Sequence, residues 1–171
     1  MKKKLTLLIL LTIIVVGFCI FRKQISYEIY RKINIISAGS YPYAETYYLN
    51  YSESEVKNAI KKFKELHPEY KVPKNIGEYE LIDHQTKNPA FWYVTFFYFQ
   101  DENEVIQTWI RNNGKSETTF AFVQVNQVRI NSWENINDDF NYNDNSKQIE
   151  KFEKRILKVL IEILKANKGG R

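Results

Sequence analysis

Phe91-Trp92-Tyr93-Val94-Thr95-Phe96-Phe97-Tyr98-Phe99 is the stretch on which the fold turns. Its β-branched and aromatic residues predict a strand. Both of its alternating sets are apolar or aromatic, so neither face of that strand is expected to meet open water. It is therefore read as a central strand with cover on two sides.

Outward from it, the same signals recur. Val105 to Arg111 and Thr118 to Val125 read as strands, Glu78 to Asp83 as a short one, and Val128 to Trp133 as a fifth candidate. Asp101-Glu102-Asn103 and Asn112-Asn113-Gly114 are the short connections, and Asn-Gly suits a tight hairpin of two or three residues. The expectation is an antiparallel meander of four to five strands.

Helices flank this β region. Ser52 and Glu55 form a capping-box pattern, and Val56, Ile60, Phe63 and Leu66 then share one helical face until His67-Pro68. From about Ser146, Ile149, Phe152, Ile156, Val159 and Ile163 follow a heptad-like spacing that Leu157, Leu160, Ile161 and Leu164 widen. This last helix either covers the sheet or returns to a membrane surface. The first reading is preferred because so apolar a sheet needs a cover. The fold class is α+β, and its element order resembles cystatin-like and NTF2-like folds. Those folds host binding proteins as well as enzymes, so the resemblance implies architecture only.

The N-terminus carries a different message. Lys2, Lys3 and Lys4 precede an uncharged apolar run from Leu5 to Phe21, which at roughly 1.5 Å per residue reaches about 25 Å, the short end of a membrane span. Residues 1–21 are thus read as a basic tail and signal anchor, 22–37 as a helical stem closed by Ala38-Gly39-Ser40-Tyr41-Pro42, and 38–171 as one extracytoplasmic domain. Tyr41 to Tyr51 reads as an extended, tyrosine-rich segment covering that domain. Cys19 is the sole cysteine, and Phe18 stands where a lipidated cysteine wants Gly or Ala. An uncleaved anchor is preferred to lipidation or cleavage.

The charge supports the same division. Residues 1–37 carry seven Lys and Arg against Glu28, whereas the remainder carries 18 Lys and Arg against 19 Asp and Glu. Basicity thus belongs to the membrane flank, where it meets anionic headgroups. The near-neutral domain makes no electrostatic case for nucleic acid. The lysine-rich start resembles an export signal and long domains translocate largely regardless of charge, so the expected place is the bacterial cytoplasmic membrane with the domain outside.

The remaining motifs are weaker. Thr119-Phe120-Ala121-Phe122-Val123-Gln124-Val125 echoes the RNA-stacking RNP1 element, but Thr118 and Thr119 replace its basic residue and glycine. Phe120 and Phe122 are read as core or groove residues. Asp139, Asn141, Asn143 and Glu150 have the spacing of a calcium loop, with Asp144 where its glycine belongs and Lys147 at its water-bridging position. A polar loop entering a helix is preferred there, and no metal or other cofactor is expected. Asp83-His84 offers a base and an orienting acid for a small hydrolase without a recognisable nucleophile motif. Trp92, Trp109 and Trp133, with Phe120 and Phe122, are the candidates for an aromatic ligand or glycan surface. The leading expectation is a membrane-anchored, non-catalytic interaction domain with a protein partner.

Overall fold

The computed structural model describes residues 2–37, 42–74, 76, 80–87 and 91–169. The chain divides into two compact units, Met1–Pro42 and Tyr43–Arg171.

In the first unit, helix α1 runs Lys2–Ser37. Among the described residues no single helix is long and apolar enough to cross a membrane; Ile9–Cys19 and Phe21–Ile29 pass that test only together, as two arms bent by 60°. A single continuous span over 5–21, as expected from sequence, is thus not shown. Residues 38–41, expected to end the stem, lie outside the described residues.

The second unit is α+β. Its strands are β1 (Glu45–Leu49), β2 (His84–Gln85), β3 (Tyr93–Phe99), β4 (Glu104–Asn112), β5 (Thr118–Gln127) and β6 (Ser132–Asn135), and its helices are α2 (Glu53–Leu66), α3 (Tyr142–Phe152) and α4 (Lys158–Gly169). All pairings are antiparallel, in the order β1-β5-β4-β3-β2, and β6 continues along the edge of β5 beyond β1. The antiparallel meander from β2 to β6 keeps the expected order, but β6 spans Ser132–Asn135 and not Val128 to Trp133, residues 128–131 forming a turn. Among the described residues the count is six, because the tyrosine-rich segment expected merely to cover the surface supplies β1, which pairs with residues 118–122.

β3 is covered on both faces, as its composition demands. It is not the middle strand, since β4 holds that place and only two-residue β2 lies outside it. On one face Phe97 and Phe99 join Ile106, Ile110, Phe120, Phe122 and Val125 beneath α2 and the C-terminal helices. On the other, Val94, Phe96 and Val105 pack beneath Val72, Ile76 and Leu81 from the segment after α2. A β-bulge gives β5 one extra residue, Val123, so that Phe122 and Val125 both reach the helix-covered core. Of the strand expected over Glu78 to Asp83, residues 78 and 79 lie outside the described residues, 80–83 are irregular, and pairing starts only at His84.

Local chemistry sets the element ends. The Ser52 side chain accepts the Glu55 amide while Glu55 Oε2 accepts the Ser52 amide at 2.9 Å, a complete capping box. Val56, Ala59, Ile60 and Phe63 are buried, but Leu66, in the last turn, is 58% exposed. The β4–β5 hairpin closes with the Asn113 amide donating to Glu117 O, leaving Gly114, Lys115 and Ser116 at its tip. Gly114 takes φ +140°, which a side chain would strain.

The C-terminal helix starts four residues before Ser146, capped by Asn141, whose side chain accepts the Asp144 amide at 3.0 Å. Between α3 and α4 lies a π-helical turn, Glu153–Leu157. Its extra residue rotates the following stripe, so Phe152, Ile156, Leu157, Leu160, Ile163 and Leu164 are all buried. This apolar face belongs to the core beneath the sheet, as the preferred reading had it.

Candidate functional site

α2 places Lys57, Lys61 and Lys64 at intervals of four and three residues, which is one stripe of a helix. Lys71 follows the short 3-10 turn Pro68–Tyr70, and Asp83 and Tyr93 come from the β2–β3 side. Together they line a cleft of about 470 Å³. Lys64 forms its floor. Its Nζ lies 2.7 and 2.6 Å from the Asp83 carboxylate oxygens and 2.9 Å from Thr95 Oγ1. Asp83 also accepts the Phe96 amide at 3.1 Å, taking a place a longer β2 would have filled.

The electrostatics follow from this placement. Burial pulls the Lys64 ammonium below its ordinary pKa, Asp83 opposes that pull, and Lys71 adds like-charge repulsion. At the other end Lys57 sits 4.6 Å over the Tyr93 ring and bonds Gln85 and Glu53. Lys61 and Lys71 are exposed at the rim.

No family model, no curated protein and no solved structure matches the chain.

Asp83 and His84, adjacent in sequence, have separate partners. The carboxylate is held by Lys64 and the Phe96 amide, while exposed His84 places Nδ1 2.9 Å from the Ile82 carbonyl. Neighbours in extended chain point to opposite sides, which is why adjacency did not produce a dyad.

The tryptophans divide. Trp92 and Trp109 lie with centroids 4.1 Å apart and their rings tilted by 57°, and the Arg111 guanidinium lies 4.9 Å over Trp92. Trp109 is buried and Trp92 half-buried, on the sheet face away from the helices. Trp133 packs instead against the Val94, Phe96 and Val105 cluster. Phe120 and Phe122 are fully buried against Phe152, at 5.6 and 4.6 Å, so they serve the core.

In the calcium-like segment the chain turns to helix at Tyr142, which carries Glu150 two turns along α3. Asp139 accepts from the Asn135 amide and side chain, and Asn141 caps α3. Among the described residues no group of three or more His, Cys, Asp or Glu side chains is placed to hold a metal ion. Cys19 lies exposed on α1.

Two polar clusters escaped the sequence reading. Buried Asn137 and Asn145 bond each other twice, at 2.7 and 2.8 Å, and Asn137 also donates to the Tyr43 carbonyl and Glu45. At the β3–β4 turn, Lys151 bridges Glu102 and buried Glu104, and Arg155 binds Asp101 through two nitrogens while stacking 4.1 Å over Phe99. No local pattern marks either, because each joins residues distant in sequence.

Half-buried Tyr47 predicts an alkaline response. Burial first, then the carboxylates of Glu153 and Glu45, raises the Tyr47 hydroxyl well above its ordinary pKa of 10.0. Because the unfolded tyrosine ionises first, this stabilisation is whole below that pH and falls as the pH climbs above it. Lys64, lowered in the fold, acts oppositely and adds stability only until its ordinary value of 10.5 is passed. Urea unfolding at increasing pH above 10.5 should therefore show declining stability, and Tyr47→Phe should flatten the decline. An equally steep decline in the variant would assign it elsewhere.

Proposed function

We propose that the chain is a membrane-anchored, non-catalytic interaction domain of the bacterial cell envelope. Residues 5–21 enter the cytoplasmic membrane as a single-pass anchor, and the C-terminal unit works outside the cytoplasm as an accessory subunit or an immunity-type protein on a protein partner. The observation that carries this reading is the surface of α1. Ile9, Leu10, Leu11, Ile13, Ile14, Val15, Val16, Phe18 and Phe21 are each more than half exposed. Successive residues on a helix point all round it, and leaving such side chains in water forgoes roughly 1.5–3 kcal/mol each. A bilayer supplies the missing cover, with Lys2, Lys3, Lys4, Arg22 and Lys23 at its two borders.

Gentle detergent extraction of the tagged full-length protein, followed by mass spectrometry of what co-purifies, tests this. One stoichiometric partner is expected, lost when residues 38–171 are removed. Absence of any partner, with a turnover abolished by His84→Ala or Asp83→Asn, would replace it by the hydrolase reading.

The Trp92–Trp109 pair, with Arg111 over Trp92, favours a second reading, an aromatic surface for a ligand or glycan. Tryptophan fluorescence that moves with one member of a glycan and peptide panel would support it, and an unmoved signal would remove it.

A further inference from the structure

We infer that the lysine-lined cleft between α2 and the β2–β3 edge binds a phosphoryl group. Its wall carries the ammonium groups of Lys57, Lys61, Lys64 and Lys71, against the carboxylates of Asp83 and Glu65 among the described residues. Glu53 pairs with Lys57 at 2.5 Å and Asp83 with Lys64, so Lys61 and Lys71 against Glu65 leave one positive charge over inside one concavity of about 470 Å³. A solvated surface lysine can turn away from its neighbours. Lys64 cannot, because Asp83 and Thr95 fix its ammonium at the floor. Lys71 repels that fixed charge. An anion seated between Lys61, Lys71 and the floor converts the repulsion into attraction.

The donor chemistry suits a phosphoryl group. Ammonium groups are compact charges with rotatable donors, which surround a tetrahedral anion without the planar match a guanidinium needs. A phosphoryl group presents its oxygens tetrahedrally, so ammonium groups on different walls can each reach one, whereas a carboxylate presents two oxygens in one plane. Tyr93 stands beside the cleft with a hydroxyl that burial, and then Asp83, keeps protonated, so it remains a donor there. The phosphoryl group can belong to a lipid headgroup or to a soluble phosphate ester, since each supplies at least the one negative charge that the cleft leaves unmatched.

The test uses the full-length chain in nonionic detergent micelles at constant ionic strength. Lysines are labelled with an amine-reactive reagent and read one by one by mass spectrometry. The probes are inorganic phosphate, and micelles doped with phosphatidylglycerol or, as a control without phosphorus, diacylglycerol. Phosphate is expected to protect Lys61 and Lys71 while exposed Lys115 and Lys154 label unchanged. Removing two attractive charges in Lys61→Gln/Lys71→Gln should weaken phosphate binding, followed by its phosphorus resonance, about tenfold or more. Both replaced side chains are exposed, so circular dichroism and the unfolding midpoint should match the parent.

Protection by both phosphorus probes supports a general phosphoryl site. Protection by phosphatidylglycerol alone assigns a lipid headgroup, and protection by phosphate alone assigns a soluble ester. Equal labelling of Lys61 and Lys71 under all conditions, or binding undiminished in the double variant, overturns the proposal. Neither failure touches the co-purification result, so loss of this site and loss of the interaction reading are separable.

Discussion

Lys151→Ala is expected to destabilise the C-terminal unit by about 3 kcal/mol, the lower end of what removing one partner of a buried ion pair costs. The Glu104 side chain is 7% exposed and that of Lys151 17%, with Nζ 2.5 Å from Oε2. Without Lys151, a buried carboxylate keeps only the amides of Gln127, at 2.6 Å, and Gln148, at 3.3 Å. Those donors keep the loss at the low end of the range, because they satisfy lone pairs without neutralising the charge. Glu104→Gln in the same chain removes that orphaned charge. The double variant should therefore be more stable than Lys151→Ala alone, with a coupling of about 1–3 kcal/mol in a double-mutant cycle. Additive losses in urea titrations would mean that the pair is not coupled.

The neighbouring Asp101–Arg155 pair provides the contrast. Asp101 is 63% exposed, so water screens it despite its two bonds. Asp101→Asn should cost less than about 1 kcal/mol. Geometry alone would have ranked the two pairs the other way, and burial decides between them.

What could be read from sequence was what local chemistry writes. The Ser52–Glu55 box lies within one turn, so it fixes the start of α2 without help from the rest of the chain. The doubly apolar pattern of residues 91–99 states its burial directly. β1 was hidden because Glu45-Thr46-Tyr47-Tyr48-Leu49 has no clean alternation, and what makes it a strand is pairing with residues 118–122. The start of α3 was ambiguous for a related reason. Asn141, Asn143, Asp144, Asn145 and Ser146 are all residues that cap helices, and the buried Asn137–Asn145 bonds favour the earliest of them. The lysine cleft was half legible. Its α2 stripe is a simple spacing, but Asp83 lies 19 residues beyond Lys64 and meets it only when the chain folds back.

Phe152→Ala carries the second large expected effect, a loss of about 3–5 kcal/mol. Phe152 is wholly buried and contacts rings from two strands: Phe122 at 4.6 Å, Phe120 at 5.6 Å and Tyr47 at 5.8 Å. It also ends α3 where the π-helical turn begins, so its ring fixes the rotation at which Ile156 and Leu160 enter the core. Truncation removes the ring's transfer energy and leaves a cavity that the flanking strands, hydrogen-bonded on both sides of β5, cannot collapse into. Phe152→Leu keeps most of the volume and should cost less than truncation. Tyr48→Ala, at a residue 67% exposed, should stay within about 0.5 kcal/mol. Urea unfolding of the three variants distinguishes two roles for the C-terminal helix. A loss below about 1.5 kcal/mol for Phe152→Ala, less than core truncations cost, would mean that this helix is not pinned to the sheet, and its basic, amphipathic sequence would then argue for a membrane surface. A loss in the expected range makes it the cover that the apolar sheet requires.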